Sequence, residues 1–243
     1  MLARELGGRL RLLDIRAGEG IEQVDLRDLA AVEQALAGVE KVVHLGAIPT
    51  EAPFEAILDH NLRGTYNVYE AARRQGVRRV VFASSNHATG MYPRSEHIGA
   101  EAPVRPDGFY GVSKVFGEAL GRLYAEKWGL EVACVRIGSF LERPQDARHL
   151  STWLSHRDGV ALFRACLDAP LRFAVVYGVS RTSRGWWDMA AAEAIGYRPQ
   201  DDADAFEGDV EPDASEHLGA QGGMYADPEF RGERDGRGLA VPP

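Results

Sequence analysis

The sequence has 243 residues, 45% of them hydrophobic, and a formal net charge of −8, so it can bury an ordinary core and offers no basic footprint for nucleic acid. The opening residues contain several arginines and no long apolar run, which indicates neither a signal peptide nor a membrane span. The two cysteines, Cys134 and Cys166, lie far apart and are expected to be reduced core thiols, as is typical of the cytoplasm. The histidines are scattered without ligand spacing, so no metal site is expected.

Five short apolar runs alternate along the chain with stretches of helical periodicity. The runs cover residues 10–14, 41–46, 77–84, 131–138 and 172–178. Apolar runs without polar alternation are typical of strands that are covered on both faces, and intervening helices imply right-handed crossovers between parallel strands. The sequence therefore predicts an α/β fold with a doubly wound parallel sheet of the Rossmann type.

Residues at the predicted strand ends suit a dinucleotide. In open parallel sheets, ligands bind outside the carboxyl ends of the strands. Asp14 ends the first run, where a carboxylate can accept both hydroxyls of an adenosine ribose and would repel a 2′-phosphate, which favours NAD over NADP. The other cofactor-binding candidates are Asp25, Leu26, Leu45, Gly46 and Ala47. Taken singly, each could instead be a polar strand end or part of a tight turn.

A glycine-rich phosphate loop is not found where a Rossmann fold needs it. "AGEGIEQ" contains Gly18 and Gly20 but lacks a third glycine, and it follows the Asp14 strand, so it is predicted to be a turn. The opening "MLARELGG" is typical of the last turns of a helix closed by Gly7 or Gly8. We therefore expect the first strand and its loop, about 20 residues, to be missing. A misassigned start codon, a truncated chain or genuine loss of NAD binding would each explain this.

The segment 106–129 is predicted to be a long helix. Asp107 is a candidate N-cap and Gly129 a candidate C-cap. Apolar residues recur at spacings of three and four, and we expect this stripe to face the core. The stripe consists of Phe109, Val112, Phe116, Leu120 and Leu123.

Tyr110 and Lys114 share a different face of this helix with Gly117 and Gly121, and the glycines indicate that something packs closely there. A phenol, with an ordinary pKa of about 10, needs nearby positive charge to act as a base, and an ammonium one turn away can provide it. The Tyr–Lys spacing alone is more often found on an exposed helix face. Ser85, at the carboxyl end of a predicted strand, favours a catalytic interpretation.

These features resemble the extended short-chain dehydrogenase/reductase superfamily. The resemblance is carried by Ser85 with "YGVSK", by "NLRGTYNVYEAA" (61–72), and by Asp14 with "DLRD". Further motifs resemble the uronate dehydrogenase family, whose members oxidise a hexuronic acid with NAD at C1 to an aldarolactone. They are "VVFASSNHATGMYP", "RPDGFYGVSK", "VRIGSF", "LSTWLSH", "GWWD" and "QGGMYADPEF".

The resemblance implies a role for each matching residue. Tyr110 would take the proton of the anomeric hydroxyl, Ser85 would bond the same oxygen, and Lys114 would lower the pKa of Tyr110. Tyr110 and Lys114 would also contact NAD, which would receive the hydride. The implied sugar-binding residues are Asn86, His87 and Ser139, with Arg148 for the carboxylate because a guanidinium can bind two oxygens at once.

Alternatives remain open for several of these residues. The polar run after the strand could be a turn that satisfies its own backbone, and His87 could be a packed loop histidine. Arg148 could instead form a surface ion pair with Asp146 or Glu142. Pro49 stands where the resemblance implies a serine that touches substrate, which makes the preferred substrate less certain.

The resemblance also implies an organisation for the whole chain. Residues 1–138 are expected to form the NAD-binding domain, and residues 139–243 a substrate-binding region and tail packed on the same domain. A homo-oligomer is expected through the helices at 51–75 and 108–128. Two other functions compete with uronate oxidation: a sugar-nucleotide epimerase or dehydratase that keeps NAD bound, and a truncated, non-catalytic protein that binds sugar acids.

Overall fold

The computed structural model describes residues 5–7 and 10–230. The strands are β1 Leu12–Asp14, β2 Ile21–Gln23, β3 Lys41–His44, β4 Arg79–Ser85, β5 Glu131–Ile137, β6 Ser139–Phe140, β7 Trp153–Leu154 and β8 Phe173–Gly178. The α-helices are α1 Leu29–Ala35, α2 Phe54–Ala56, α3 Gly64–Arg74, α4 Phe109–Trp128, α5 His149–Thr152, α6 His156–Asp168 and α7 Ala190–Ala194. A π-helical segment, Ile57–Arg63, joins α2 to α3, and 3-10 turns lie at Asn86–Thr89, Ala203–Asp209, Glu216–Leu218 and Gly223–Ala226.

The main sheet has four parallel strands in the order β3-β4-β5-β8. β1 and β2 form a second, two-stranded parallel sheet, and β6 pairs with β7 in a third. The predicted α/β class with parallel strands is confirmed. Among the described residues, no strand pairing joins β1 to β3, and the expected loss of a first strand and its loop stays a prediction.

The core lies on both faces of the main sheet, which explains its continuous apolar runs. Every residue of β4 is buried, and Val80, Val81, Val132 and Val135 have no exposed surface. One apolar cluster packs α1, α3 and α4 against one face of the sheet. A second packs α6 and α7 against the other face. Alternation along the strands is absent because both faces are covered.

Helix α4 turns its small residues, and not its apolar stripe, towards the sheet. A Cβ at Gly117 would overlap the Phe82 ring, and one at Gly121 would lie 2.7 Å from the Tyr69 hydroxyl. Phe109, Val112 and Leu123 are 50%, 46% and 45% exposed, so the expectation that the stripe faces the core was wrong for these residues, although Leu120 packs against the apolar cluster on that face of the sheet. Helical periodicity identifies an apolar face but not the surface it contacts, and here the close approach of the backbone selects the glycine face.

The sequence predicted the C-cap of α4 correctly but not its N-cap. Gly129 closes the helix with a left-handed φ of 77°, as predicted. The N-cap is Gly108, which has no side chain to cap the helix, so the prediction for Asp107 was wrong. Glu51 caps the helix instead: its carboxylate accepts hydrogen bonds of 2.9 Å from the backbone nitrogens of Phe109 and Tyr110.

Local predictions elsewhere are partly confirmed. In "AGEGIEQ" the predicted turn is present at Glu19 and Gly20, where the Ile21 nitrogen bonds the Gly18 oxygen at 3.1 Å, but the last three residues form β2. Gly7 has a φ of 68°, which suits a helix end, although residues 1–4 and 8–9 lie outside the described residues. Cys134 and Cys166 are free and buried, as expected of core thiols. Within residues 5–7 and 10–230, no helix is long and apolar enough to cross a membrane.

The C-terminal part of the chain completes the same sheet, because it contributes β8. Between β6 and β8 the chain forms α5, the short strand β7 and then α6. Helix α6 begins where Ser155 Oγ accepts a hydrogen bond from the Asp158 nitrogen at 3.0 Å. Trp187 is buried and stacks on Tyr177 at a centroid distance of 4.9 Å. Of the predicted substrate-binding region, residues 231–243 lie outside the described residues.

Candidate active site

The hydroxyls of Ser85 and Tyr110 meet at the carboxyl end of the main sheet. Ser85 is the last residue of β4, and Tyr110 lies in the first turn of α4. Both are buried, with exposures of 4% and 8%. Ser85 Oγ accepts a hydrogen bond of 3.2 Å from the His87 nitrogen, and a hydrogen bond between the Ser85 and Tyr110 side chains lowers the pKa of the phenol. A strand end and a helix start distant in sequence thus bring two hydroxyls together.

Lys114 lies one helical turn after Tyr110 and faces the same side. Its Nζ donates a hydrogen bond of 2.9 Å to the Ala83 oxygen and lies 5.3 Å from the centre of the Tyr110 ring. Burial lowers the pKa of Lys114 to about 8, because a cation is less stable away from water. The structure therefore places all three predicted catalytic side chains in one buried cluster.

The pKa of Tyr110 differs from the expected direction. Burial raises it well above its ordinary value, and the hydrogen bond with Ser85 offsets only part of the rise. Tyr225 and Asp107 raise it further through their charge. These surroundings therefore favour the neutral phenol, and nearby positive charge would be needed to stabilise the phenolate.

Arg148 and Asn86 lie side by side near this cluster. The Arg148 Nε and Nη2 atoms donate to the Gln221 oxygen at 3.1 and 2.7 Å. With the Asn86 amide oriented so that both its groups are bonded, its nitrogen donates to the Ile137 oxygen and its oxygen accepts from Arg148 Nη2, both at 3.1 Å. The guanidinium is thus fixed by one backbone oxygen and one amide.

The alternative of a surface ion pair for Arg148 does not hold. Asp146 interacts instead with His149, at 3.3 Å between Oδ1 and Nδ1. Within the described part of the chain, no carboxylate forms an ion pair with Arg148. Burial lowers the pKa of Arg148 from its ordinary value. Asp146, Asp213 and Asp107 favour the cation through their charge, but none of them forms an ion pair with it. A desolvated cation of this kind suits an anionic ligand.

His87 lies between the catalytic cluster and the C-terminal segment. Its Nδ1 is 2.7 Å from Asp107 Oδ2. Its ring stacks on Tyr225 at a centroid distance of 3.8 Å and meets the edge of Tyr110 at 5.8 Å. The Tyr225 hydroxyl in turn bonds Thr50 Oγ1 at 2.8 Å. His87 is therefore packed and hydrogen-bonded, and it also contacts the proposed acid/base.

Ser139 is the sugar-binding candidate whose side chain already has a hydrogen-bond partner in a neighbouring segment. It starts β6, just after the carboxyl end of β5, so it lies at the correct edge of the sheet. Its hydroxyl already bonds Thr152 Oγ1 at 2.9 Å. A hydroxyl has a donor and two acceptor positions, so this bond leaves capacity for a ligand.

The cofactor-binding candidates occupy the carboxyl ends of β1, β2 and β3, as predicted. Asp14 is exposed, and its carboxylate accepts a hydrogen bond from the Arg16 nitrogen at 2.8 Å. The Asp25 carboxylate is instead held by Arg27, with contacts as short as 2.7 Å, and this pairing lowers the pKa of Asp25.

Two of these strand ends are in contact. A Cβ at Gly46 would lie 2.7 Å from Leu26 Cδ1, so the absence of a side chain there allows the two segments to approach. Leu45 is 51% exposed and Ala47 is partly exposed. The described residues thus fit the ribose and adenine end of a dinucleotide, whereas none of them forms a glycine-rich pyrophosphate loop between a strand and a helix.

Several residues of the site were missed by sequence reasoning. Asp107 was interpreted as a helix cap, and its pairing with His87 has no local sequence signal. Thr50, Gln221 and Tyr225 come from segments far apart in the chain. The pair of glycines after Gln221 was the available signal, since such residues allow close backbone approach.

Comparisons with known proteins agree with this geometry. The profile of the NAD dependent epimerase/dehydratase family matches residues 5–156. The chain is 49% identical over 212 residues to uronate dehydrogenase of Agrobacterium fabrum, covering 84% of this chain and 80% of that protein. It is 43% identical over 230 residues to uronate dehydrogenase of Pseudomonas putida, covering 89% of this chain and 86% of that protein.

Solved structures show the same relationship. A uronate dehydrogenase from Agrobacterium tumefaciens, a tyrosine-to-alanine mutant complexed with NAD, superposes with a TM-score of 0.84 at 47% identity, covering 91% of this chain and 89% of that one. The chain therefore belongs to the NAD dependent epimerase/dehydratase family, and its relationship to uronate dehydrogenases makes it an NAD-dependent dehydrogenase that acts on a CH–OH group.

Proposed function

We propose that the protein oxidises a hexuronic acid, galacturonate or glucuronate, at C1 to an aldarolactone. The observation that carries this proposal is the position of Arg148, a desolvated guanidinium that contacts Asn86 directly after the strand that ends in Ser85. A uronate has a carboxylate at one end and an anomeric hydroxyl at the other. The site offers a cation for the first and a cluster of hydroxyls for the second.

In this proposal, Ser85, Tyr110 and Lys114 act on the anomeric hydroxyl. Ser85 donates a hydrogen bond to the substrate oxygen, and Tyr110 accepts the proton of that oxygen. Lys114 is fixed by the Ala83 oxygen and adds positive charge close to the Tyr110 ring. NAD, when bound, supplies the hydride acceptor and further positive charge. Tyr110 and Lys114 would contact its ribose, while Asp14, Asp25, Leu26, Leu45, Gly46 and Ala47 would line its adenosine and pyrophosphate.

The remaining polar residues would select the sugar. Asn86, His87 and Ser139 each have a group able to bond a sugar hydroxyl, and all follow the carboxyl ends of β4 or β5. Arg148 would bind the carboxylate with two parallel hydrogen bonds, which fixes the orientation of the sugar as well as its charge.

The direct test is turnover by the purified protein. With NAD present, galacturonate or glucuronate should produce NADH, and NMR of the product should show an aldarolactone before it hydrolyses. Galactose and glucose, which lack the carboxylate but keep the anomeric hydroxyl, are the matched control substrates and should react far more slowly. Equal rates on the acids and the neutral sugars would contradict the proposed substrate class.

We also propose that the protein forms a homodimer through the exposed apolar face of α2, α3 and α4. Phe54 and Phe109 contact each other there at a centroid distance of 5.4 Å. Tyr66, Val112 and Leu123 extend the face, each more than 40% exposed. Exposed apolar residues clustered on neighbouring helices are typical of a protein interface, and a second copy would cover them by symmetry.

Val112→Glu should convert the dimer to a monomer, because it would bury two unpaired charges at the interface. Sedimentation velocity would show the mass of two chains for the unmodified protein and of one chain for the variant. Val104→Glu is the matched control, since Val104 is similarly exposed, at 43% against 46% for Val112, but lies in a loop. A monomeric unmodified protein, or a dimeric Val112→Glu variant, would contradict the proposal.

A further inference from the structure

The Asp107 carboxylate is enclosed by backbone from three separate segments. Its side chain has no exposed surface. A Cβ at Gly90 or Gly222 would overlap the carboxylate, and one at Gly111 would lie 3.1 Å from Oδ1. Three glycines thus leave the space that this carboxylate occupies, and a side chain at two of them would displace it.

The carboxylate has one side-chain hydrogen-bond partner among the described residues. Asp107 Oδ2 lies 2.7 Å from His87 Nδ1, whereas Oδ1 is buried and has no partner there. Burying an acid in this way is unfavourable unless a strong interaction compensates. The hydrogen bond with His87 is therefore the interaction that compensates the burial of the Asp107 carboxylate.

This pairing decides which ring nitrogen of His87 carries hydrogen. A carboxylate accepts hydrogen bonds, so Nδ1 donates to Asp107 and Nε2 of the neutral imidazole keeps its lone pair. The ring is further held between Tyr225 and the edge of Tyr110. Within the described residues Nε2 has no hydrogen-bond partner, so its acceptor is available to a ligand beside the acid/base.

We propose that Asp107 is a positioning residue, which holds His87 with Nδ1 protonated so that Nε2 accepts a hydrogen bond from a hydroxyl of the sugar acid. This inference rests on the proposed function, because it takes His87 as a substrate contact. The substrate would then need a hydroxyl that donates a hydrogen bond to His87 Nε2, in addition to the carboxylate that Arg148 binds.

Asp107→Asn tests the inference, since an amide nitrogen can donate to Nδ1 and so move the hydrogen to Nε2. The kcat/KM for the uronate should fall by about tenfold to a hundredfold, the effect of one mismatched buried hydrogen bond. His87→Gln should cause a similar loss. In the His87→Gln background, Asp107→Asn should cost no more than about twofold, because two residues that act through one contact are not additive.

Nitrogen-15 NMR of the histidine side chains gives a readout that needs no substrate. The signals of His87 are identified by their loss in His87→Gln. The unmodified protein should show hydrogen on Nδ1, and Asp107→Asn should show it on Nε2. A purely structural role for Asp107 would change stability in both backgrounds without this exchange.

The inference is overturned if His87 in the unmodified protein carries its hydrogen on Nε2, or if Asp107→Asn costs as much activity in the His87→Gln background as alone. The first of these measurements stands even if Asp107→Asn fails to fold. Failure of the proposed function would look different: the unmodified protein would show hydrogen on Nδ1 but no turnover of uronates.

Discussion

Tyr110→Phe should lower kcat for uronate oxidation by roughly a thousandfold, within the range that removal of a general acid or base produces. The phenyl ring fills the same space, so its contacts with His87 and Lys114 are kept. What is lost is the hydroxyl that meets Ser85. Initial rates of NADH formation, measured at saturating NAD and uronate, would report this loss in kcat and not only in KM.

The matched control for this prediction is Tyr124→Phe. Tyr124 lies on the same helix and is also buried, but it is about four turns after Tyr110, and its hydroxyl bonds Glu70 Oε2 at 2.9 Å. This variant should lose some stability and keep its kcat within about twofold, as expected for a hydrogen bond that does not touch substrate. If the Tyr110→Phe variant has the same kcat as the Tyr124→Phe variant, Tyr110 is not the proton acceptor.

The burial of Tyr110 gives this prediction a further consequence. Burial raises the pKa of the Tyr110 phenol and lowers that of Lys114 to about 8, so near neutral pH the phenol is uncharged while the amine still carries its positive charge. Charge separation between phenolate and ammonium becomes favourable only with an additional cation beside it. In the proposed reaction, Tyr110 would therefore accept a proton only when the positively charged cofactor is bound. The sequence could not show this, because burial is a property of the fold.

The strands of the fold were the most predictable feature, for a physical reason. Apolar runs such as 131–138 are short, rich in β-branched residues and without polar alternation, which favours a strand buried on both faces of a sheet. The outward face of α4 shows the limit. Its stripe from Phe109 to Leu123 has the period of a core-facing helix, yet Gly117 and Gly121 allow the sheet to contact the opposite face.

The residues of the candidate site were predictable where a side chain with a known chemical use stands at the end of a strand or on one face of a helix. Ser85, Tyr110 and Lys114 were predicted in this way, and the structure places them in one buried cluster; their catalytic roles stay a prediction. Asp107 was not, because the same letter before a helix is equally a cap. Only the fold shows that Glu51 caps α4 in its place, which leaves Asp107 for His87.

Arg148→Met should reduce kcat/KM for galacturonate by about a hundredfold or more, because the substrate carboxylate would then be desolvated without its cation, a loss of about 2 to 5 kcal/mol for a buried charge pair. The rate on galactose, measured at high concentration, should change by no more than a few fold. For galacturonate, the kcat/KM of Arg148→Lys should lie between that of Arg148→Met and that of the unmodified protein. An ammonium keeps the charge but cannot form two parallel hydrogen bonds.

Arg143→Met is the matched control for Arg148→Met. Arg143 lies in the same connection, 55% of its side chain is exposed, and it pairs with Asp209 at 3.5 Å. Exposed pairs of this kind contribute little, so this variant should behave as the unmodified protein on both sugars. A loss in Arg148→Met that is equal for galacturonate and galactose would show that Arg148 supports the segment around Gln221 and does not bind the carboxylate. Selectivity between the two sugars, rather than rate alone, is therefore the quantity that identifies this guanidinium as the anion site.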